Sequence, residues 1–350
     1  MSRFASDNNA GLCPEALAAI TDANEGHCVA YGDDDYTLGA KAEFARIFGD
    51  TTSVWFVATG TAANTLAIAA LTRPWQRVLC YVHSHYNDDE STAPERITQC
   101  RTTAIVNDTS KITPQEVIDA TNQSRLDVHV PQPGVLTISN STELGTIYTP
   151  NEMKALCDVA HDSGYRVHVD GARFANAVAA LDCDPRELSI DAGVDALSFG
   201  GTKNGLAFGE AILLFPQGDG EVFATADKAF PFLRKSTGHL LSKHRFVAAP
   251  FSATLRDDRW LHHASHANDM AAKLSAGFKA QGCELRYQTQ ANAIFITLKQ
   301  PVAKALLDKG HFFYPFGVSS WNLYRFMCSF DTTPEQVDSL LADLSEILSR

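Results

Sequence analysis

From about residue 50 to about residue 215, short apolar runs alternate with segments of helical periodicity, and this alternation restricts the chain to few architectures. The runs at Val54–Ala58, Val78–Val82, Val135–Ser139, Arg166–Asp170, Ala196–Phe199 and Ala211–Phe215 have the length of strands. Between them Thr61–Leu71 and Asn151–Ser163 read as helices; the second has Thr149 as N-cap, Pro150 in its first turn and Gly164 as its stop. Strands separated by helices build a mostly parallel sheet covered on both faces.

Ahead of this block, Pro14–Asn24 and Lys41–Phe48 are expected to be helices flanking a polar loop, Tyr31-Gly32-Asp33-Asp34-Asp35. Beyond about residue 250 the pattern changes to a long helix near 257–280, short strands near 292–298 and 324–329, and an amphipathic helix over Pro334–Leu348. The expected organisation is an α/β chain with an N-terminal segment and large domain over residues 1–250 and a small α+β domain over 251–350. With 350 residues, 45% of them apolar and 20% charged, the chain has the makings of a sizeable core.

Charge narrows the partners. A net charge of −12 without any basic run argues against nucleic acid and against an anionic membrane surface, so an anionic ligand must be held by a few local donors. No stretch approaches the roughly 20 apolar residues of a membrane span and the start of the chain has no apolar signal core, so a cytoplasmic enzyme is expected. The eight cysteines form no C-x-x-C pair and several sit inside apolar runs, which fits reduced, mostly buried thiols.

In open α/β sheets ligands bind beyond the carboxyl ends of the strands. Three such ends carry chemistry here. Thr59-Gly60-Thr61-Ala62-Ala63-Asn64 leads straight into a helix and offers backbone N–H groups and hydroxyls to a phosphate, or is a structural loop. His168-Val169-Asp170-Gly171-Ala172-Arg173 puts an Asp and an Arg near one ligand, although an Asp there also serves as a helix cap. Ser198-Phe199-Gly200-Gly201-Thr202-Lys203-Asn204-Gly205 brackets a lysine with glycines; a solvated turn lysine is the plain alternative, a desolvated nucleophile the functional one. The order of phosphate turn, strand-end Asp and strand-end Lys is what an enzyme dependent on pyridoxal 5'-phosphate (PLP) needs.

The same stretches resemble the threonine aldolase and β-eliminating lyase family of fold-type I, aspartate aminotransferase-like PLP enzymes. The resemblance also covers Phe4-Ala5-Ser6-Asp7-Asn8, Tyr31-Gly32-Asp33-Asp34, His85 with Glu90, and Arg325-Phe326-Met327-Cys328-Ser329, and therefore nearly the whole chain. It implies that Lys203 holds PLP as a Schiff base, that Asp170 pairs with the pyridine nitrogen, and that Gly60, Thr61 and Thr202 bind the phosphate. His85 would stack on the ring, while Ser6, Arg173 and Arg325 would receive the substrate carboxylate. Arg173 would thus border both cofactor and substrate. The implied assembly is a homotetramer in which Tyr31, toward substrate, and Lys243, toward cofactor, reach a neighbouring chain's site. The implied reaction is retro-aldol cleavage of L-threonine and related β-hydroxy-α-amino acids to glycine and an aldehyde; β-elimination, racemisation and transamination share the cofactor site.

One departure concerns the base. Several family members carry a second His after the strand ending near Ser139, where this chain reads Ser141-Thr142-Glu143-Leu144, so Glu143 or a water would substitute. Between His83 and His85, the spacing to Glu90 favours His85. No metal is expected among the site residues: His83-x-His85, His168-x-Asp170 and the pair His262 and His266 offer two ligands each without a third at fixed spacing, and the Leu261–His266 stretch reads as an exposed helix face. A cofactor-free binding module would leave Lys203 and Asp170 without a purpose.

Overall fold

The computed structural model describes residues 2–349 apart from 124, 126, 219, 319 and 320. Seven strands form the main sheet: β1 (Ser53–Val57), β2 (Gln76–Tyr81), β3 (Arg101–Ile105), β4 (Gln132–Ser139), β5 (Arg166–Gly171), β6 (Ala196–Gly200) and β7 (Glu210–Leu214). Their order is β1-β7-β6-β5-β4-β2-β3. Every pairing is parallel except those of β7, which runs antiparallel to both β1 and β6.

Successive residues of these strands enter opposite cores, which explains why the runs are apolar throughout. In β2, Leu79 and Tyr81 join one core while Val78 and Cys80 join the other; in β7, Leu213 and Ile212 divide likewise. The first core also holds the helices Asp35–Phe48, Pro150–Asp162 and Arg245–Leu255, and the second the helices Gly60–Leu71 and Glu221–Ser236. Gly60–Leu71 is buried almost all round, so it shows apolar and small residues with little periodicity.

The remaining residues build a second, antiparallel sheet from Tyr314–Pro315, Leu323–Met327, Ala293–Thr297 and Glu284–Leu285, in that order. The helices Arg259–Ala280 and Pro334–Leu348 cover it, with Phe278, Phe326 and Leu340 at the centre of its core. The start of the chain belongs here as well: Ser2–Arg3 pairs in parallel with His311–Phe312, and Phe4 is fully buried in the same core.

Most expected elements stand within a few residues of their observed bounds. The exceptions have local causes. β3, Arg-Thr-Thr-Ala-Ile, lies at the sheet edge, where polar and exposed residues mask a strand. The helix expected at Lys41 begins at Asp35, because Asp34 caps it by accepting from Thr37 N at 2.9 Å. Helices at Phe174–Leu181, Glu221–Ser236 and Arg245–Leu255 were not expected; the last two carry an internal proline, Pro231 and Pro250, which reads as a break.

Candidate active site

The site lies where the carboxyl ends of β4, β5 and β6 face the second sheet. β5 ends on Asp170-Gly171, and β6 ends on Gly200, from which a single helical turn, Thr202–Asn204, carries Lys203. These glycines are required by space. A Cβ on Gly200 would stand 2.4 Å from the Ala172 carbonyl oxygen, and one on Gly201 would stand 2.6 Å from that of Gly209. The turn therefore packs against the β5 end at backbone distance and holds Lys203 beside Asp170. Both line a cavity of about 870 Å³, together with His85, Glu143, Arg173 and Arg325, a size that suits a cofactor with its substrate.

A hydrogen-bonded relay links the helix Gly60–Leu71 to the strand ends. Asn64 Nδ2 donates both to Asp170 Oδ2 and to Glu90 Oε1, each at 2.9 Å, and His85 Nδ1 lies 2.9 Å from the same Glu90 oxygen. Ala172 N–H donates to Asp170 Oδ1 at 3.0 Å. The Glu90 hydrogen bond raises the His85 pKa against the effect of burial. For Asp170, burial alone would favour the neutral acid, yet the His85 and Lys203 charges and the Ala172 N–H keep the carboxylate ionised below its ordinary range. Burial, reinforced by the Arg173 charge, lowers the Lys203 amine.

Glu143 follows β4 and accepts from Ser139 Oγ at 2.6 Å and from His85 N–H at 3.2 Å, and burial raises its pKa. Of the two histidines, only His85 belongs to this constellation. His83 is exposed and lies 2.9 Å from Asp88 Oδ2. His168 is a core residue between the Thr137 and Ser198 hydroxyls, its pKa lowered to about 4 by burial.

On the side of the second sheet, Asp7 grips Arg173 through two bonds, to Nε at 2.7 Å and to Nη2 at 2.8 Å. Asn292 donates to Asp7 as well. Arg325, on Leu323–Met327, donates to the Ala5 carbonyl at 3.3 Å, has no ion-pair partner among the described residues, and keeps a buried Nε without a hydrogen bond. Arg325 is thus a guanidinium turned to the cavity with donors unused, whereas Arg173 has one edge committed to Asp7.

Some expected site residues stand apart from the cavity walls. Ser6 caps a short turn, accepting from Asn8 N–H, and it is the neighbouring Asp7 that reaches the site. Gly60 and Thr61 open the helix Gly60–Leu71, whose end is capped by Thr59; a Cβ on Gly60 would meet nothing within 4 Å, so there is open space before this helix N-terminus. The Thr202 hydroxyl and the Gly201 N–H, the latter at 2.6 Å, donate to Glu210, a buried carboxylate at the start of β7. Burial lifts Glu210 to about 7. Tyr31 and Lys243 are both exposed and lie near each other, Tyr31 N–H donating to the Ser242 carbonyl, but neither reaches the cavity of its own chain. Asn64, Asp7 and Glu210 were given no role from the sequence; Asn64 and Asp7 stand inside the resembling stretches, while nothing marks Glu210 except a charge at the head of an apolar run.

These residues fit PLP. A desolvated amine, a carboxylate kept ionised for a pyridinium, an imidazole and a guanidinium with donors free for a carboxylate line one cavity, and the helix Gly60–Leu71 offers an open N-terminus for a phosphate.

Known proteins share this arrangement of sequence and fold. The sequence profile of the β-eliminating lyases matches residues 3–301. The low specificity L-threonine aldolase of Pseudomonas aeruginosa is 43% identical over 349 residues, covering 99% of this chain and 98% of the relative, and that of a Pseudomonas species is 42% identical over the same span. The yeast Saccharomyces cerevisiae has a low specificity L-threonine aldolase 23% identical over 81% of this chain and 71% of its own. Among solved structures, a Leishmania major threonine aldolase superposes with a TM-score of 0.91 at 24% identity over 99% of this chain and 100% of the other. A Sphingomonas wittichii serine palmitoyltransferase gives 0.71 at 16% identity over 98% and 86%, so the aspartate aminotransferase-like fold is shared even where the sequence has diverged. The breadth and level of these matches establish that the chain belongs to the threonine aldolase and β-eliminating lyase family.

Proposed function

We propose that the protein is a PLP-dependent aldolase that cleaves L-threonine, L-allo-threonine and related β-hydroxy-α-amino acids, phenylserine among them, to glycine and an aldehyde. The observation that carries the reading is the convergence of Lys203, the Asp170–Asn64–Glu90–His85 relay and Arg325, which has no ion-pair partner among the described residues, on one cavity. The names borne by the Pseudomonas relatives support the choice of substrate class.

PLP, when bound, supplies an electron sink for the bond broken at the substrate's Cα. The chain's residues do the rest. Lys203, its charge disfavoured by burial and by Arg173, is more readily a neutral, nucleophilic amine than a solvated lysine and would anchor the cofactor. Asp170, fixed by Asn64 and Ala172, holds a proton at the pyridine nitrogen. Gly60 and Thr61, at the open N-terminus of the helix Gly60–Leu71, together with Thr202 would hold the phosphate. Arg325 takes the substrate carboxylate through donors not given to the Ala5 carbonyl, with Arg173 presenting the edge that Asp7 leaves free. Glu90 fixes Nδ1 of His85 as the protonated nitrogen, which leaves Nε2 to take the β-hydroxyl proton, directly or through a water. Glu143, adjacent and raised by burial, orients that water or serves as the base in its place.

The reading extends to a cytoplasmic homotetramer in which Tyr31 and Lys243 complete a neighbour's site. Its support is their exposure beside one another away from their own cavity. Eight unpaired cysteines suit a reducing compartment. The deciding experiment is product analysis with L-threonine: glycine and acetaldehyde in equal amounts support the aldolase, whereas ammonia with a 2-oxo acid would make the protein an eliminating lyase.

A further inference from the structure

Outside the cavity, one cluster brings together three different metal-ligating side chains. Cys13 and Glu15 stand at the start of the helix Pro14–Ala23, and His263 lies in the first turns of Arg259–Ala280. One ligand atom from each lies within 4.8 Å of the others. His263 Nε2 and Glu15 Oε2 are 3.7 Å apart, beyond hydrogen-bond reach, and Glu15 Oε2 is buried without a hydrogen-bond partner. A zinc ion bound to nitrogen and oxygen at about 2.0–2.2 Å in tetrahedral geometry holds those two atoms roughly 3.3–3.5 Å apart, so the observed gap closes on a metal with only a small movement.

The surroundings support the same conclusion. The His263 ring stands against the backbone of the lysine turn, its Nδ1 buried beside Gly205 without a hydrogen-bond partner. The side chains of Glu15 and His263 are 27% and 16% exposed, which leaves room for a water as fourth ligand. The cluster lies directly under the lysine turn: Cys13 N–H donates to the Gly205 carbonyl at 2.8 Å, and a Cβ on Gly205 would stand 3.1 Å from Cys13 Sγ and 3.6 Å from His263 Nδ1. The Leu261–His266 stretch is accordingly more than an exposed face. His262 alone of its three histidines is exposed, and His266 Nε2 lies 2.7 Å from the Thr332 carbonyl oxygen.

We propose that Cys13, Glu15 and His263 form a structural site for a borderline divalent cation of the zinc class, which ties the helices Pro14–Ala23 and Arg259–Ala280 to the turn that carries Lys203. A sulfur, a nitrogen and a single carboxylate oxygen select zinc or cobalt over magnesium or calcium. Binding replaces the Cys13 thiol proton, which passes to solvent, by the metal.

The test uses the intact holoenzyme. Elemental analysis of protein purified without chelator should give close to one zinc per chain. Protein stripped by chelator should regain a higher thermal midpoint when zinc alone is added. Cobalt(II) should give thiolate-dependent absorption that is lost in Cys13→Ser. Glu15→Gln and His263→Gln should each weaken zinc binding about tenfold or more while threonine cleavage at saturating metal and the cofactor's absorption persist. Should Cys13→Ser fail to fold, the partly exposed Glu15→Gln keeps the test in force. No zinc above background with no thermal shift overturns the site, as does zinc bound equally well by wild type and Glu15→Gln.

Discussion

Glu90 does not itself line the cavity, yet it decides which nitrogen of His85 carries a proton and, through Asn64, how Asp170 is aimed. Its hydrogen bond raises the His85 pKa, so the neutral imidazole that accepts a proton appears only at higher pH than for a free histidine. Glu90→Gln should lower that pKa and move the acid limb of the kcat/KM profile to lower pH. An acid limb that stays put or moves up would exclude His85 as the base it reports. Glu210 gives a stability counterpart. Its pKa rises from 4.5 to about 7 in the folded state, so the folded protein binds this proton more tightly than the unfolded chain. The stability is present in full below about pH 4.5 and is lost as pH rises through about 7, by on the order of 3 kcal/mol. In cofactor-free protein, Glu210→Gln should flatten the fall of urea-unfolding stability between pH 5 and 8; an unchanged slope would mean that Glu210 is not the group responsible.

At the level of elements, the site depends on a turn of β6 that glycine alone permits. Gly200→Ala places a methyl group 2.4 Å from backbone oxygen, which no rotamer can relieve, and should cost about 3 kcal/mol or more and displace Lys203 from Asp170. Denaturation curves with cofactor absorbance would check both effects, and a Gly200→Ala protein of wild-type stability would show that the turn is looser than described. The strand-end motifs were legible because chemistry and fold coincide there: glycines and charged residues interrupt apolar runs only where a ligand or a close backbone contact demands it. Edge strand β3 and the proline-containing helices were illegible for the opposite reason. Their formation depends on neighbours: on the β2 edge for Arg101–Ile105, and on the buried Phe230 and Phe251 for Glu221–Ser236 and Arg245–Leu255. The helix that starts at Asp35 hid behind three consecutive aspartates that resemble a loop, one of which is its cap.

Across the whole molecule, the site is assembled from distant segments. The start of the chain is tied to the second sheet, Met327 N–H donating to the Phe4 carbonyl, and delivers Asp7 to Arg173, so an ion pair links that sheet to the end of β5. Such long-range pairing has no periodicity to reveal it, which is why Asp7 went unassigned while the adjacent Ser6 was named. The exposed Tyr31 and Lys243 make a claim beyond the single chain. If they serve a neighbour's site, co-expressed Lys203→Ala and Tyr31→Ala chains, each inactive alone, should recover about one quarter of wild-type activity in mixed assemblies. Activity that never exceeds the sum of the separate variants would confine each site to one chain. The central claim is that Lys203 anchors PLP, and it is tested most directly by borohydride reduction of the holoenzyme, digestion and mass spectrometry of the peptides. The pyridoxyl group should sit on the peptide carrying Lys203; a label on any other lysine, or none in an enzyme that still cleaves threonine, would exclude Lys203 as the anchor.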